Sequence, residues 1–124
     1  MPESTRLQGT RGENLAVKFL LDKGHILVQR NYKDRVSRGE IDVITRDQDC
    51  LVFVEVKAGR PHEFGPPETW VDARKQGRIT RAAAGYIQQY DLHQSPCRFD
   101  VVGITYHQGQ PHFTHIEHAF WSEI

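Results

Sequence analysis

Residues 40–57 read EIDVITRDQDCLVFVEVK and contain the most strand-like run of the chain. EIDVIT and CLVFVEVK are rich in the β-branched and aromatic residues that strands favour, and the polar RDQD between them suits a turn. We therefore predict an antiparallel hairpin with strands over 40–45 and 50–57. The second strand is apolar on both faces, which is typical of a central strand covered on both sides.

Two acids and a lysine of this hairpin are predicted to share one face. Side chains alternate along a strand, so Glu55 and Lys57 point the same way. A turn of two or four residues places Asp42 opposite Glu55 or Phe53, on that same face. One interpretation is a salt-bridged solvent face. Because burying two carboxylates in a covered strand is costly, the other interpretation is a site in which a divalent cation compensates them.

Such a site suits hydrolysis of phosphodiesters. Mg²⁺ is held in proteins by one or two carboxylates together with water and substrate phosphate oxygens. Asp42 and Glu55 are the candidate ligands of Mg²⁺ or Mn²⁺, with the backbone carbonyl of Val56 as a further ligand. Lys57 is the candidate group for stabilising the charge that develops on the phosphate, or for positioning the attacking water.

Glu13 is a candidate third acid. It lies on the apolar side of the predicted first helix, from which it could reach the same site. It is also predicted in the first turn of that helix, where the helix dipole favours a negative charge. The sequence leaves both interpretations open.

Apolar spacing predicts two helices in the chain. The first covers residues 12–23 and ends at Gly24. The second covers residues 73–90, with Asp72 as its N-cap. Outside the hairpin, strand patterns are predicted over residues 25–32, 98–106 and 112–119.

The element order αβββαββ predicts a mixed sheet. The second helix is long enough to cross over between the hairpin's second strand and the next strand, which would then be parallel. We expect an α/β fold, a mixed β-sheet flanked by helices, in a single domain over residues 1–124. Residues 1–8 are expected to form a flexible tail.

Length and composition indicate an ordinary folded domain. A chain of 124 residues can bury a core without disulfides, and its two cysteines are too few for a disulfide scaffold. No apolar run has the ~20 residues that a membrane helix needs, and the first residues do not resemble a signal peptide. We therefore expect a cytoplasmic protein with no membrane partner.

The net charge is zero, from 16 basic and 16 acidic residues, which argues against coating of nucleic acid by bulk charge. The basic residues are nevertheless clustered, either on solvated surfaces or on a local phosphate-binding face. The two clusters are Arg30, Lys33, Arg35 and Arg38, and Arg74, Lys75, Arg78 and Arg81.

The order of a helical Glu, then Asp, then Glu-x-Lys resembles the PD-(D/E)XK nuclease superfamily. Its acid, metal-ligand and lysine positions match Glu13, Asp42, Glu55 and Lys57. Ile41 stands where the name of the superfamily has proline.

The chain as a whole is similar to the YraN family of predicted endonucleases. The shared motifs are GTRGENLAVKFLLDKG, QRNYKDRVSRGEIDVI, LVFVEVKAGR, FGPPETWVDARKQGRI and RFDVVGI. The resemblance implies a restriction-endonuclease-like fold, nearest to archaeal Holliday-junction resolvases, and Mg²⁺-dependent hydrolysis of DNA, with branched DNA among the substrates. It also implies phosphate contacts from Arg60, Lys75 and Arg78.

Three functions are consistent with these features. The first is a metal-dependent DNA endonuclease, in which Arg35 and Arg38 also contact phosphates. The second is a nuclease fold that binds DNA without cutting it, and the third is a protein-interaction adaptor. The presence of all four motif residues favours the first function, whereas the neutral charge counts for the third. Whether the chain forms a homodimer is left open.

Overall fold

The computed structural model describes residues 5–122, with side chains from residue 10 onward. Its elements are helix α1 (Thr5–Asp22), strands β1 (Ile26–Lys33), β2 (Glu40–Asp47) and β3 (Cys50–Gly59), helix α2 (Ala73–Gln89), and strands β4 (Cys97–His107) and β5 (Gln110–Phe120). Two short 3₁₀ helices, Pro61–Glu63 and Pro67–Thr69, lie between β3 and α2. The predicted α/β class and the order αβββαββ are confirmed.

Helix α1 begins earlier than its apolar spacing indicates. It was expected from residue 12 but begins at Thr5, because its first turns are polar and carry no periodic signal. Its end agrees with the prediction: Gly24 adopts a φ of 99° and the N–H of His25 donates to Leu20 O at 3.0 Å. Of the tail expected over residues 1–8, residues 1–4 lie outside the described residues and 5–8 belong to α1.

The five strands form one mixed sheet in the order β1-β2-β3-β4-β5. Only β3 and β4 are parallel, and α2 crosses over between them as expected. The β2–β3 turn has two residues, so Asp47 pairs with Cys50 and Val43 with Val54. Continued by one residue, this register sets Asp42 opposite Glu55.

Strand β3 is the central strand and is covered on both sides. Val52 and Val54 pack in the cluster beneath α1, and Leu51 and Phe53 pack in the cluster beneath α2. Each of these four side chains is at most 1% exposed. A polar side chain in the middle of this strand, such as Glu55, is therefore shielded from water.

The end of the sheet where β3 and β4 begin is held by an ionic network. Arg98 donates from Nε to Asp100 Oδ1 at 3.0 Å and from a terminal nitrogen to Asp47 Oδ2 at 3.1 Å. His115 on β5 lies 2.8 Å from Asp100 Oδ2 through its Nε2. Because Asp100 is buried and multiply paired, its role is structural. None of the described helices is long and apolar enough to cross a membrane.

Two glycines of α2 differ in their surroundings. At Gly85 a Cβ would collide with the carboxylate of Asp34, which is buried and accepts a hydrogen bond from Ser37 N at 2.8 Å. At Gly77 a Cβ would meet the guanidinium end of Arg81 at 3.2 Å, and that group can move aside. The packing of Asp34 therefore requires glycine at 85, whereas no fixed neighbour requires it at 77.

Alanine should have opposite effects at these two positions. We expect Gly77→Ala to raise the free energy of unfolding by about 0.5–1 kcal/mol, because glycine weakens a helix interior. We expect Gly85→Ala to lower it by about 1–3 kcal/mol, because the methyl group overpacks a fixed neighbour. Urea unfolding of both variants measures the difference. A stabilising Gly85→Ala would show that Asp34 moves freely.

Candidate active site

Asp42 on β2 and Glu55 on β3 form a carboxyl pair near the start of α2. Glu55 is 8% exposed and Asp42 is half-buried. The backbone N–H of Val56 donates to Asp42 Oδ2 at 2.9 Å, and the charge of Asp42 acts on Glu55. The structure thus brings together the two acids that the hairpin register predicts to converge.

Burial makes the charge of this pair unfavourable. Burial, and next the charge of Asp42, raise the pKa of Glu55 to about 7, against its ordinary 4.5. Burial also raises the pKa of Asp42, while the hydrogen bond from Val56 acts in the opposite direction. Because the two carboxyl groups interact, they titrate as a pair, and the pair resists carrying two negative charges.

The cation that contacts the pair is Lys75, in the first turn of α2. Its Nζ lies 2.5 Å from Glu55 Oε1. Burial alone would lower the pKa of Lys75, but the contact with Glu55 and the charge of Asp42 raise it above its usual value. The sequence predicts Lys75 as a phosphate contact, whereas the structure places its ammonium on the carboxyl pair.

Lys57, the predicted lysine of the site, lies on the same face of β3 as Glu55, but its ammonium contacts an aromatic ring. Its Nζ is 5.1 Å from the ring centroid of Phe64, a cation–π contact. Among the described side chains no carboxylate forms an ion pair with Lys57. Its ammonium is therefore available to a ligand that enters beside Phe64.

Glu13 influences the pair through its charge. It is half-buried on α1, with Oε1 3.9 Å from a terminal nitrogen of Arg30. Burial and the charge of Asp42 raise the pKa of Glu13, and Arg30 opposes them. Because α1 begins at Thr5, Glu13 is not in the first turn, and the helix-dipole interpretation of this acid is wrong.

The loop after β3 forms one wall beside Lys57. Trp70 donates from Nε1 to Gly65 O at 2.8 Å and meets the Phe64 ring edge-on, with centroids 4.9 Å apart. A Cβ at Gly103 of β4 would come within 2.5 Å of the Trp70 ring. The glycine inside this strand is thus the sequence signal for a close approach that anchors the loop.

The remaining predicted DNA contacts are exposed. Arg35 and Arg38 lie in the connection between β1 and β2, and Arg78 lies one turn after Lys75 on α2. Gly39 brings this connection against α2, since a Cβ there would come within 2.6 Å of Arg78 O. The connection that carries Arg35 and Arg38 therefore lies against the part of α2 that carries Arg78. Arg60 is exposed at the start of the short helix Pro61–Glu63.

The acids suit a hard divalent cation with few protein ligands. Within the described residues, no group of three or more His, Cys, Asp or Glu is arranged to hold a metal ion. Asp42 and Glu55 could supply two carboxylate oxygens in a poorly solvated position, where a cation would relieve the repulsion between them. Mg²⁺ takes one or two carboxylates and completes its shell with water and phosphate oxygens, so this donor set fits it.

A signal for the Lys75 contact was present in the sequence. Arg74 and Lys75 are the second and third residues of α2, after the N-cap Asp72 and Ala73, so two cations occupy the first turn of the helix. The helix dipole disfavours positive charge at that end, which indicates that an acid outside the helix compensates it. The sequence alone does not identify that acid as Glu55, because the long loop between β3 and α2 separates the two residues in the chain.

Comparison with known proteins finds one family over most of the chain. The model of the uncharacterised protein family UPF0102 matches residues 12–104. That stretch includes all four motif residues, Glu13, Asp42, Glu55 and Lys57.

Curated relatives match at similar length. A UPF0102 protein of Pelobacter propionicus is 40% identical over 118 residues, covering 93% of this chain and 83% of the relative. One of Nitrosococcus oceani is 41% identical over 120 residues, covering 96% and 95%. One of Dictyoglomus turgidum is 45% identical over 96 residues, covering 77% and 80%. Their shared name states the family and no activity.

The substitution Glu55→Gln should reveal the buried charge. A carboxyl with a pKa of about 7 in the folded chain and 4.5 in the unfolded chain loses folding stability as the pH rises from 4.5 through 7. Relative to wild type, we expect Glu55→Gln to gain about 2–3 kcal/mol in free energy of unfolding between pH 5 and pH 8.

Urea unfolding in EDTA measures this gain. The exposed Glu68 provides the control variant Glu68→Gln, expected to stay within about 0.5 kcal/mol of wild type at both pH values. If the free energy of unfolding of Glu55→Gln differed from that of wild type by the same amount at pH 5 and pH 8, Glu55 would not have a raised pKa.

Proposed function

The chain belongs to the YraN family, UPF0102, and on that premise we propose that it is a metal-dependent endonuclease that hydrolyses phosphodiester bonds in DNA. The observation that carries the proposal is the pair of Asp42 and Glu55, with Lys75 in contact with Glu55 and Lys57 two residues after Glu55 on the same face of β3. A merely structural role would not need one acid on β2 facing another on the covered strand β3, because burying both carboxylates is costly.

Each residue of the site has a role in this reaction. Asp42 and Glu55 would hold Mg²⁺ or Mn²⁺, together with the carbonyl of Val56. When bound, the cation supplies Lewis-acid polarisation of the phosphodiester. Lys57 places a positive charge where the phosphate becomes more negative in the transition state. Glu13 adds negative charge near Asp42 and so favours a cation in the site.

The exposed arginines support DNA as the substrate. Arg35 and Arg38 lie in the connection that Gly39 brings against α2 at Arg78, and Arg60 follows Lys57 by three residues. We propose that these arginines contact the phosphates of DNA, including branched DNA. We place this activity in the cytoplasm. Because the net charge of the chain is zero, binding should be modest and should weaken steeply with salt, with a slope near −0.9 per duplex phosphate contacted.

Metal binding should depend on Asp42. Calorimetric titration with Mn²⁺ should show binding by wild type and a loss in Asp42→Asn of at least the roughly ten-fold that even an outer partner of a metal ligand costs. Asp49, an exposed acid in the β2–β3 turn, provides the control Asp49→Asn, which should bind like wild type. Equal Mn²⁺ affinity in wild type, Asp42→Asn and Asp49→Asn would contradict the proposal that Asp42 binds the metal.

Lys57→Ala should separate cutting from binding. We expect its cleavage rate to fall by about 10²–10³, as when one preorganised electrostatic group is removed. DNA affinity and thermal unfolding should change little, because Lys57 is one contact among several and the apolar faces of β3 stay intact. Lys57→Arg should restore activity only in part, since a planar guanidinium does not replace a compact ammonium.

The assay uses linear, flapped and four-way DNA with Mg²⁺ or Mn²⁺, and Lys18→Ala on α1 as the charge control. If Lys57→Ala cuts as fast as wild type, Lys57 has no catalytic role. If wild type cuts none of these DNAs but binds them, the chain is a DNA-binding protein on a nuclease fold. If it neither cuts nor binds them, the adaptor function takes its place.

A further inference from the structure

A second concave surface lies along α2, away from the carboxyl pair. It is an open cleft of about 990 Å³ between the β1–β2 connection and the C-terminal half of α2. We call it the α2 cleft. The lining residues that matter here are Tyr32, Arg35, Val36, Arg81, Gln88 and Tyr90.

The α2 cleft is preformed by a hydrogen-bonded turn. Asp34 N donates to Gly39 O and Arg38 N donates to Asp34 O, both at 2.9 Å. Tyr32 Oη lies 3.3 Å from both Asp34 Oδ1 and Gln89 Oε1, and so ties the connection to α2. Together with the close approach of Asp34 to Gly85, these contacts fix both walls before any ligand arrives.

The net charge of the cleft is positive. Lys33, Arg35 and Arg81 line it and are exposed, and Lys33 is paired with Glu40, with Nζ 3.9 Å from Glu40 Oε1. Among the described side chains, no carboxylate forms an ion pair with Arg35 or Arg81. The one acid in the lining, Asp34, is already bonded to Ser37 N and Tyr32. The cleft therefore suits a polyanion.

Aromatic and amide groups add a second kind of contact. Tyr90 is 48% exposed at the end of α2 although its ring lies 4.7 Å from that of Tyr86, and Val36 is 93% exposed on the opposite wall. Gln88 is exposed beside Tyr90. An exposed ring next to unpaired cations provides the base-stacking and phosphate contacts by which proteins hold single strands.

We propose that the α2 cleft binds an unpaired DNA strand, with phosphates on Arg35 and Arg81 and a base against Tyr90. A duplex keeps its bases stacked inside, so contact with Tyr90 requires an unpaired strand. The inference rests on the proposed function, because α2 connects the two places: at 1.5 Å per residue, Gln88 lies about 20 Å along the helix from Lys75.

Binding without cleavage tests this inference. Fluorescence anisotropy in EDTA compares a labelled oligothymidylate of twelve nucleotides with an abasic oligomer of the same length and charge. We expect wild type to bind the oligothymidylate about five-fold or more tightly than the abasic oligomer, because only the former has a base to stack. Tyr90→Ala should abolish the difference, and Tyr90→Phe, which keeps the ring, should preserve it.

Arg81→Ala tests the phosphate contact separately. It should weaken binding of both oligomers and lower the salt slope by about 0.7, the value for one phosphate of a single strand. Lys18→Ala, on the opposite side of the sheet, should change neither. Thermal unfolding of each variant identifies any loss of folding, and Tyr90→Phe and Arg81→Ala still test the cleft if Tyr90→Ala is unstable.

The outcomes separate this inference from the proposed function. Equal binding of the oligothymidylate and the abasic oligomer by wild type would overturn it and leave a general polyanion surface. Metal-dependent cleavage of duplex DNA by the same protein would then leave the nuclease proposal standing. Conversely, base-dependent binding through Tyr90 without cleavage of any DNA would keep the α2 cleft and remove the nuclease.

Discussion

The burial of two neighbouring carboxyl groups is the constraint on which the candidate site depends. Asp42 and Glu55 lose water because β3 is covered on both sides, and their charges repel each other. The backbone of Val56 and the ammonium of Lys75 compensate part of that cost. The same cost favours a divalent cation, and it accounts for a lysine in the first turn of α2, where the helix dipole disfavours it.

Close approaches of the backbone hold in place the loop beside Lys57 and the connection that forms the α2 cleft. Glycine permits them at three positions: Gly39 against α2, Gly85 against Asp34, and Gly103 beneath Trp70. The first two hold the β1–β2 connection on α2, and the third holds the loop that carries Phe64 beside Lys57. The positions of the β1–β2 connection and of the loop after β3 therefore depend on glycines, which let the neighbouring groups approach closely.

The net charge of zero does not distinguish the cations that are paired within the fold from those that are not. Arg98 is locked between Asp100 and Asp47 at one end of the sheet, where it stabilises the fold and is unavailable to a ligand. Arg35 and Arg81 have no such partner among the described side chains and face an open cleft. Total charge thus argues weakly against a nucleic-acid partner, because only the unpaired cations can bind phosphates.

Local patterns in the chain were enough to predict the element order, the central strand, the N-cap of α2 and the convergence of Asp42 with Glu55, since alternation and turn length depend on neighbouring residues alone. They missed the start of α1, whose first turns carry no apolar signal. They also missed that Lys75, and not Lys57, contacts the carboxyl pair. Such a partner is decided by where α2 packs on the sheet, which depends on contacts between residues far apart in the chain and on glycines that let backbones meet.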